Sequence, residues 1–112
     1  MPKIKSKIFQ SNVKIISNRE IAPGYYRLLV QALEIAKSAS PGQFVNIRVS
    51  DGYEPLLRRP FSIHRIKGAT LEILYKVVGK ATEILSGKKK SEHLDILGPL
   101  GNGYSILDSR FS

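Results

Sequence analysis

Residues 57–63 read Leu-Arg-Arg-Pro-Phe-Ser-Ile, which places guanidinium, aromatic and hydroxyl side chains next to one another in a region of strand-like sequence. The planar fork of N–H donors on an arginine matches the oxygens of a diphosphate. A flat apolar ring suits a flat heterocycle, and the adjacent hydroxyl is placed to reach a heteroatom on the edge of that heterocycle. The stretch therefore predicts a binding site for a ligand that combines phosphate with a ring.

A second anion site is predicted at Gly79-Lys80-Ala81-Thr82, where small residues form a turn that is expected to open a short helix. Backbone N–H groups at the start of a helix attract phosphate. The Thr82 hydroxyl is also suited to capping the helix, and the two roles are compatible. Two anion sites and one ring platform predict a dinucleotide, and the ring favours a flavin.

Most of the chain alternates apolar and polar residues with a period of two, which is typical of strands. Residues 61–66 and 70–78 are separated by a short loop that contains a glycine, which predicts a β-hairpin. The predicted strands are residues 7–16, 25–31, 43–49, 61–66, 70–78 and 93–97. The side chains predicted to face inward are Val13, Ile15, Tyr26, Leu28, Val30, Val45, Ile47, Val49, Leu71, Ile73, Tyr75 and Val77.

The remaining segments contain one predicted helix and several breaks. Residues 80–86 form the helix, with Gly87 as its C-terminal stop. Residues 32–40 are compatible with either a short helix or a loop, whereas three glycines and a proline predict that residues 98–103 are irregular. Five or six short strands with one small helix indicate an all-β fold, a small antiparallel barrel that leaves no long sheet edge exposed.

The composition fits one globular domain of 112 residues, with 42% hydrophobic and 24% charged residues. No apolar run approaches the roughly 20 residues that span a bilayer, and the N-terminal sequence lacks the apolar region of a signal peptide. The chain has no cysteine, which excludes disulfides and cysteine-ligated clusters within it. We expect a cytoplasmic protein with no membrane association, and no catalytic or metal-binding residue is predicted.

The formal net charge of +9 has three candidate explanations. The first is a solvated surface of dispersed lysines. The second is an anionic ligand or an acidic protein partner, which a basic surface attracts. The third is a small basic barrel that binds single-stranded nucleic acid, because cations neutralise phosphates and aromatic side chains stack on bases.

A series of short motifs follows one another along the chain: Pro41-Gly42-Gln43-Phe44, Arg59-Pro60-Phe61-Ser62, Tyr75-Lys76, Gly79-Lys80-Ala81-Thr82 and Leu97-Gly98-Pro99-Leu100-Gly101-Asn102-Gly103. Their order and intervals resemble the flavin-binding domain of the ferredoxin–NADP reductase superfamily. The Leu-Arg-Arg-Pro start at residues 57–60 and the Leu-Gly-Pro-Leu-Gly-Asn-Gly end at residues 97–103 are most similar to the electron-transfer subunits of NAD-dependent dihydroorotate dehydrogenases, enzymes of pyrimidine synthesis. The resemblance extends from about residue 7 to residue 104. It implies a six-stranded antiparallel Greek-key barrel with one short capping helix.

The resemblance also implies FAD as the cofactor and a role for each site residue. Arg59 would pair with the flavin diphosphate, and Pro60 would hold the strand edge in position. Phe61 would lie against the isoalloxazine and ribityl region, and Ser62 would approach the ring nitrogen that accepts hydride. The other cofactor-binding residues are Leu74, Tyr75 and Lys76 on the facing hairpin strand, and Gly79, Ala81 and Thr82 at the helix start, where backbone N–H groups and the Thr82 hydroxyl would hold the diphosphate.

The chain also departs from the superfamily pattern. Ala81 stands where glycine is common, so we expect a tighter approach of the backbone to phosphate. Relatives continue into a nicotinamide-nucleotide domain, and the dihydroorotate branch adds cysteines that hold a [2Fe–2S] centre; the 112 residues contain neither. Residues 101–103 are not a dinucleotide fingerprint, since Ile106 stands where the third glycine belongs. We expect a FAD-binding barrel at residues 1–104 and a tail at residues 105–112. The chain as a whole would then be either an excised domain or a split subunit.

Such a flavin module is incomplete on its own and requires separate redox partners. These are an NAD-binding domain, an iron–sulfur protein or a dehydrogenase catalytic subunit. A homo-oligomer is also compatible, because a missing domain would leave a surface uncovered. Two alternatives remain open: the nucleic-acid-binding barrel, which has no RNA-binding signature in this sequence, and a domain that has lost its cofactor and serves as an interaction scaffold.

Overall fold

Seven strands and two short helices form the part of the chain that the computed structural model describes, residues 7–49 and 58–101. The strands are β1 (Phe9–Ala22), β2 (Tyr25–Gln31), β3 (Phe44–Arg48), β4 (Arg58–Ser62), β5 (Arg65–Lys67), β6 (Thr70–Lys76) and β7 (His93–Leu100). The helices are α1 (Leu33–Ser38) and α2 (Lys80–Ser86). The tail predicted at residues 105–112 lies outside the described residues.

All neighbouring strands are antiparallel and form one sheet in the order β4-β3-β7-β1-β2-β6-β5. The two end strands, β4 and β5, follow one another in the chain, so the sheet curls round until its ends meet. Between β4 and β5 the chain passes from hydrogen bonding next to β3 to hydrogen bonding with β6. The Ile63 N–H donates to the Gln43 carbonyl at 2.8 Å, and the His64 N–H donates to the Glu72 carbonyl at 2.9 Å. Within the described residues no register pairs β4 with β6, which leaves a seam between these two strands.

The predicted all-β antiparallel barrel is confirmed, with differences in detail. Residues 7–49 and 58–101 contain seven strands instead of six, because residues 58–67 form two strands, and two helices instead of one, because residues 32–40 contribute α1. In the part of the chain that the structure describes, no strand pairing closes the sheet at the β4–β6 seam. The single strand predicted at residues 61–66 was wrong: the chain there forms β4, which pairs with β3, and β5, which completes the hairpin with β6.

The core is filled by the side chains that alternation places on the inner face of each strand. The predicted inward-facing residues that are buried are Val13, Ile15, Leu28, Val30, Val45, Ile47, Val49, Leu71, Ile73 and Tyr75. Tyr26 and Val77 are partly buried against them. The helices add Ile35 and Ala36 from α1 and Leu85 from α2.

Strand β7 continues through Gly98 and Pro99, so the prediction that residues 98–103 are irregular was wrong for its first part. The register between β3 and β7 shifts here, so that two residues of β7 oppose Val45 alone. Such a bulge interrupts the hydrogen-bond ladder and accommodates a proline inside a sheet. Glycine fits because a Cβ on Gly98 would lie only 2.7 Å from the Cγ1 atom of Val45.

Helix α2 spans the predicted residues, and Gly87 ends it as predicted. The Gly87 N–H donates to the Ile84 carbonyl at 3.1 Å. The fully buried Leu85 side chain attaches the helix to the barrel. In the described part of the chain, neither helix has the length and apolar character needed to cross a membrane.

We predict that Gly98→Ala destabilises the fold by about 1–3 kcal/mol, because the added methyl group overpacks against Val45. Gly87→Ala is the matched control, since its Cβ would meet the Ile84 carbonyl oxygen at an ordinary contact distance of 3.5 Å. Urea unfolding followed by circular dichroism measures both free energies of unfolding. Equal free energies for the two variants would show that Gly98 is not required for close packing.

Candidate functional site

A cleft of about 530 Å³ lies at the β4–β6 seam and extends to the first turn of α2. Every residue predicted as a cofactor contact lines this cleft, although these residues come from three separate segments of the chain. The lining residues are Arg59, Pro60, Phe61, Ser62, Leu74, Tyr75, Lys76, Val78, Gly79, Lys80, Ala81 and Thr82. The fold therefore brings the predicted residues together in one place.

The two adjacent arginines of β4 have different environments. The Nη2 atom of Arg58 lies 3.1 Å from a carboxylate oxygen of Asp95 on β7, and its Nη1 atom donates to the Asn46 carbonyl at 3.3 Å. Arg59 is exposed at the cleft, where its Nη1 atom donates to the Arg58 carbonyl at 3.1 Å. Arg58 thus ties β4 to the sheet, whereas Arg59 presents a cation at the cleft.

Aromatic rings form the floor of the cleft and connect its two strands. The rings of Phe61 on β4 and Tyr75 on β6 meet edge to face, with centroids 5.8 Å apart. Tyr26 on β2 stacks on the Tyr75 ring at 5.5 Å. Ring pairs of this kind contribute roughly 0.5–1.5 kcal/mol beyond the burial of their area. Phe61 and Tyr75 are both buried and both line the cleft, so they belong to the core and the cleft at once.

The Tyr75 hydroxyl turns away from the cleft floor toward β1. It donates to the Oδ1 atom of Asn18 at 2.9 Å. Burial raises the pKa of Tyr75 to about 12, so the phenol is protonated at neutral pH and remains a hydrogen-bond donor. The polar end of the side chain is therefore satisfied inside the protein while its ring lines the cleft.

The rim of the cleft is more exposed than its floor. Leu74 is 40% exposed and Val78 is 73% exposed, which places apolar surface at the opening. The Nζ atom of Lys76 lies 5.5 Å from the centroid of the Tyr25 ring, within the range of a cation–π contact. Ser62 is exposed at the end of β4. The opening thus combines apolar, hydroxyl and cationic groups.

The first turn of α2 is held in shape by Thr82. Its Oγ1 atom accepts hydrogen bonds from the N–H groups of Val78 at 2.8 Å and Gly79 at 3.2 Å, and its hydroxyl donates to the Gly79 carbonyl at 3.1 Å. Regular helical bonding begins at Glu83, whose N–H donates to the Gly79 carbonyl at 2.9 Å. The N–H groups before it have no acceptor four residues earlier within the helix. Ala81, which is buried, lies in this turn and lines the cleft.

Sequence reasoning missed Val78 and Asn18. Val78 lines the cleft directly beside predicted residues, so chain continuity was the available signal. Lys80, which belongs to the predicted anion motif but was not among the predicted cofactor contacts, also lines the cleft. Asn18 contacts Tyr75 from β1, and no local pattern marks it because the barrel brings the two residues together. Across residues 7–49 and 58–101, no group of three or more His, Cys, Asp or Glu residues is placed to hold a metal ion.

Relatives of the chain are electron transfer subunits. No protein-family model matches the chain. It is 43% identical over 104 residues to the dihydroorotate dehydrogenase B (NAD⁺) electron transfer subunit of Desulforamulus reducens, a match that covers 90% of this chain and 38% of the relative. The subunit of the same name from Fusobacterium nucleatum is 42% identical over 92 residues, covering 80% of this chain and 36% of the relative. The chain therefore spans less than two fifths of these curated relatives.

Solved structures show the same fold. The NADH-dependent reduced ferredoxin–NADP oxidoreductase is 32% identical with a TM-score of 0.74, and the match covers 85% of this chain and 34% of that one. A flavohemoglobin from Malassezia yamatoensis, solved with bound FAD and heme, has a TM-score of 0.64 at 20% identity, over 83% of this chain and 25% of that one. These comparisons give no support to the alternative of a nucleic-acid-binding barrel. The chain is a homologue of part of the dihydroorotate dehydrogenase B electron transfer subunit, with the fold of the ferredoxin–NADP reductase superfamily.

Proposed function

We propose that the cleft binds FAD and that the chain is the flavin-carrying part of an electron transfer subunit. One observation carries the proposal: residues 59–62, 74–76 and 79–82, which the sequence marked separately, line the same cleft. The relatives support it, since the curated ones are named electron transfer subunits and the flavohemoglobin of similar fold was solved with FAD.

The cleft has the chemistry that a flavin dinucleotide requires. Its volume of about 530 Å³ is within the roughly 300–1,000 Å³ that is typical of small-molecule sites. The rings of Phe61 and Tyr75 and the apolar side chains of Leu74 and Val78 suit an isoalloxazine ring. The Arg59 guanidinium suits phosphate oxygens, which it can bind through two parallel N–H groups. The residues present therefore fit the cofactor.

The diphosphate is assigned to the end of the cleft where β4 and α2 both contribute. Arg59 would bind it from β4, and the backbone N–H groups of Ala81 and Thr82 would bind it from α2. The Thr82 hydroxyl is already engaged with Gly79, so its contribution is to fix the turn that presents these N–H groups. The negative charge of the diphosphate would thus be stabilised by the guanidinium on one side and by backbone N–H groups on the other.

The ring system is assigned to the aromatic floor. Phe61 would lie against the isoalloxazine, with Ser62 beside it to hydrogen-bond the edge of the ring. Pro60 occurs in an end strand of the sheet, where its missing N–H removes no ladder hydrogen bond on the seam side. Leu74, Tyr75 and Lys76 would line the nucleotide from β6.

Bound FAD would supply the hydride and electron transfer, and the residues of this chain would bind and orient it. The named relatives are subunits, so we propose that electrons pass to and from separate partners. These partners are an NAD-binding domain, an iron–sulfur protein or a dehydrogenase catalytic subunit. We propose residues 1–104 as the flavin-binding unit.

The protein is expected to bind one FAD per chain. Isothermal titration calorimetry should give saturable heat with a stoichiometry near one, and flavin absorbance should remain with the protein through gel filtration. The complete absence of both signals would contradict the proposal.

Arg59→Ala is expected to weaken FAD binding by roughly 1.5–3 kcal/mol, the range for a hydrogen bond to a charged group. Arg65→Ala is the matched control, because it removes the same charge from an exposed arginine of β5 that does not line this cleft. The dissociation constants of both variants are measured by calorimetry at one ionic strength. Equal losses in the two variants would show that the basic surface acts only through its overall field.

A further inference from the structure

We propose that Asn18 is a positioning residue that sets the distance between the two sides of the cofactor cleft. Its side chain does not line the cleft, and no local sequence pattern marks it. The Nδ2 group donates to the carbonyls of Leu85 at 2.8 Å and Lys88 at 3.0 Å, and the Oδ1 atom accepts from the Tyr75 hydroxyl at 2.9 Å. One half-buried amide thus joins three parts of the chain that are distant in sequence.

The contacts use both functions of the amide. A carboxamide has two N–H donors and a carbonyl acceptor. Both N–H groups of Asn18 donate to backbone carbonyls, and its Oδ1 atom accepts a hydrogen bond from the Tyr75 hydroxyl, which stays protonated at neutral pH. An aspartate has the same shape but no donor, so it would place a carboxylate against two carbonyl oxygens. Among side chains of this size, only asparagine satisfies all three partners.

The two donor contacts fix α2 from its C-terminal end. The carbonyl groups in the last turn of a helix receive no hydrogen bond from N–H groups within the helix. Leu85 belongs to that last turn, and Lys88 follows directly after Gly87, which ends the helix. Asn18 therefore holds α2 against β1, while the first turn of the same short helix, with Ala81 and Thr82, forms one side of the cleft.

The hydrogen bond that the Oδ1 atom of Asn18 accepts fixes the opposite side of the cleft. Tyr75 lies on β6, its ring forms part of the cleft floor, and its hydroxyl reaches Asn18. Loss of the amide would remove both the side-chain contacts between β1 and the end of α2 and the acceptor of the Tyr75 hydroxyl, whereas loss of the hydroxyl alone would leave the α2 contacts in place. Because α2 is assigned to the diphosphate, the inference rests on the proposed FAD function and predicts an effect that depends on the phosphate part of the ligand.

The test compares FAD with riboflavin, which has the ring but no phosphate, in binding titrations with folded protein. Asn18→Ala and Asn18→Asp should each weaken FAD binding about tenfold, as expected for losing one or two hydrogen bonds that position the site. Riboflavin affinity should change less than threefold. Asn12→Ala, an exposed asparagine on the same strand, is the matched control and should have no effect.

Amide hydrogen exchange of residues 80–86 gives a readout that needs no ligand. Exchange should accelerate in Asn18→Ala and Asn18→Asp and remain at the wild-type rate in Tyr75→Phe and Asn12→Ala. Unchanged FAD affinity in both Asn18 variants, equal losses for FAD and riboflavin, or unchanged exchange would each overturn the role of Asn18. A wild-type protein that binds neither flavin would instead overturn the proposed function, and the exchange rates would still show whether Asn18 holds α2.

Discussion

Where the two ends of the sheet meet, β4 lies beside β6, and among the described residues no register pairs these two strands. The architecture of the site follows from this seam. The chain crosses from one end to the other within two residues, since Ile63 bonds to Gln43 next to β3 and His64 bonds to β6. The ends of the sheet therefore cannot separate. Across the seam the contact is made by side chains, with Phe61 and Tyr75 edge to face at 5.8 Å. Because no backbone hydrogen bonds of the described residues fill the gap between β4 and β6, a cleft with an aromatic floor remains, and a flat ligand can enter it.

Tyr75 links the stability of the barrel to the shape of this cleft. Its ring packs on Tyr26 and Phe61, which belong to different strands, and it is 6% exposed. Its hydroxyl is satisfied by Asn18, which also holds the end of α2. A change in any of these contacts would therefore act on packing and on the cleft together. Arg59 stands apart from this cluster as an exposed cation, so its substitution is expected to change binding more than stability.

The inner faces of the strands could be predicted from the sequence because they depend only on local alternation. Val45, Ile47 and Val49 alternate along one short segment, and all are buried as predicted. The division of residues 61–66 into two strands could not be predicted, since it depends on which distant carbonyls accept from Ile63 and His64. The continuation of β7 through Gly98 could not be predicted either, since it depends on pairing with the distant strand β3.

The candidate site shows the same division between local and long-range information. Residues 59–62 and 79–82 could be predicted because guanidinium, hydroxyl and small residues mark phosphate and ring chemistry within a few positions, and the family resemblance joined the segments. That they line one cleft depends on the curl of the sheet. Asn18 had no local signal because its three partners, Tyr75, Leu85 and Lys88, lie far along the chain.

A crystal structure of the protein grown with FAD tests most directly whether a flavin dinucleotide occupies the β4–β6 seam. We expect density for the ring system against Phe61 and Tyr75, with the diphosphate between the Arg59 guanidinium and the first turn of α2. FAD bound elsewhere on the barrel, or a diphosphate directed away from both Arg59 and α2, would contradict it.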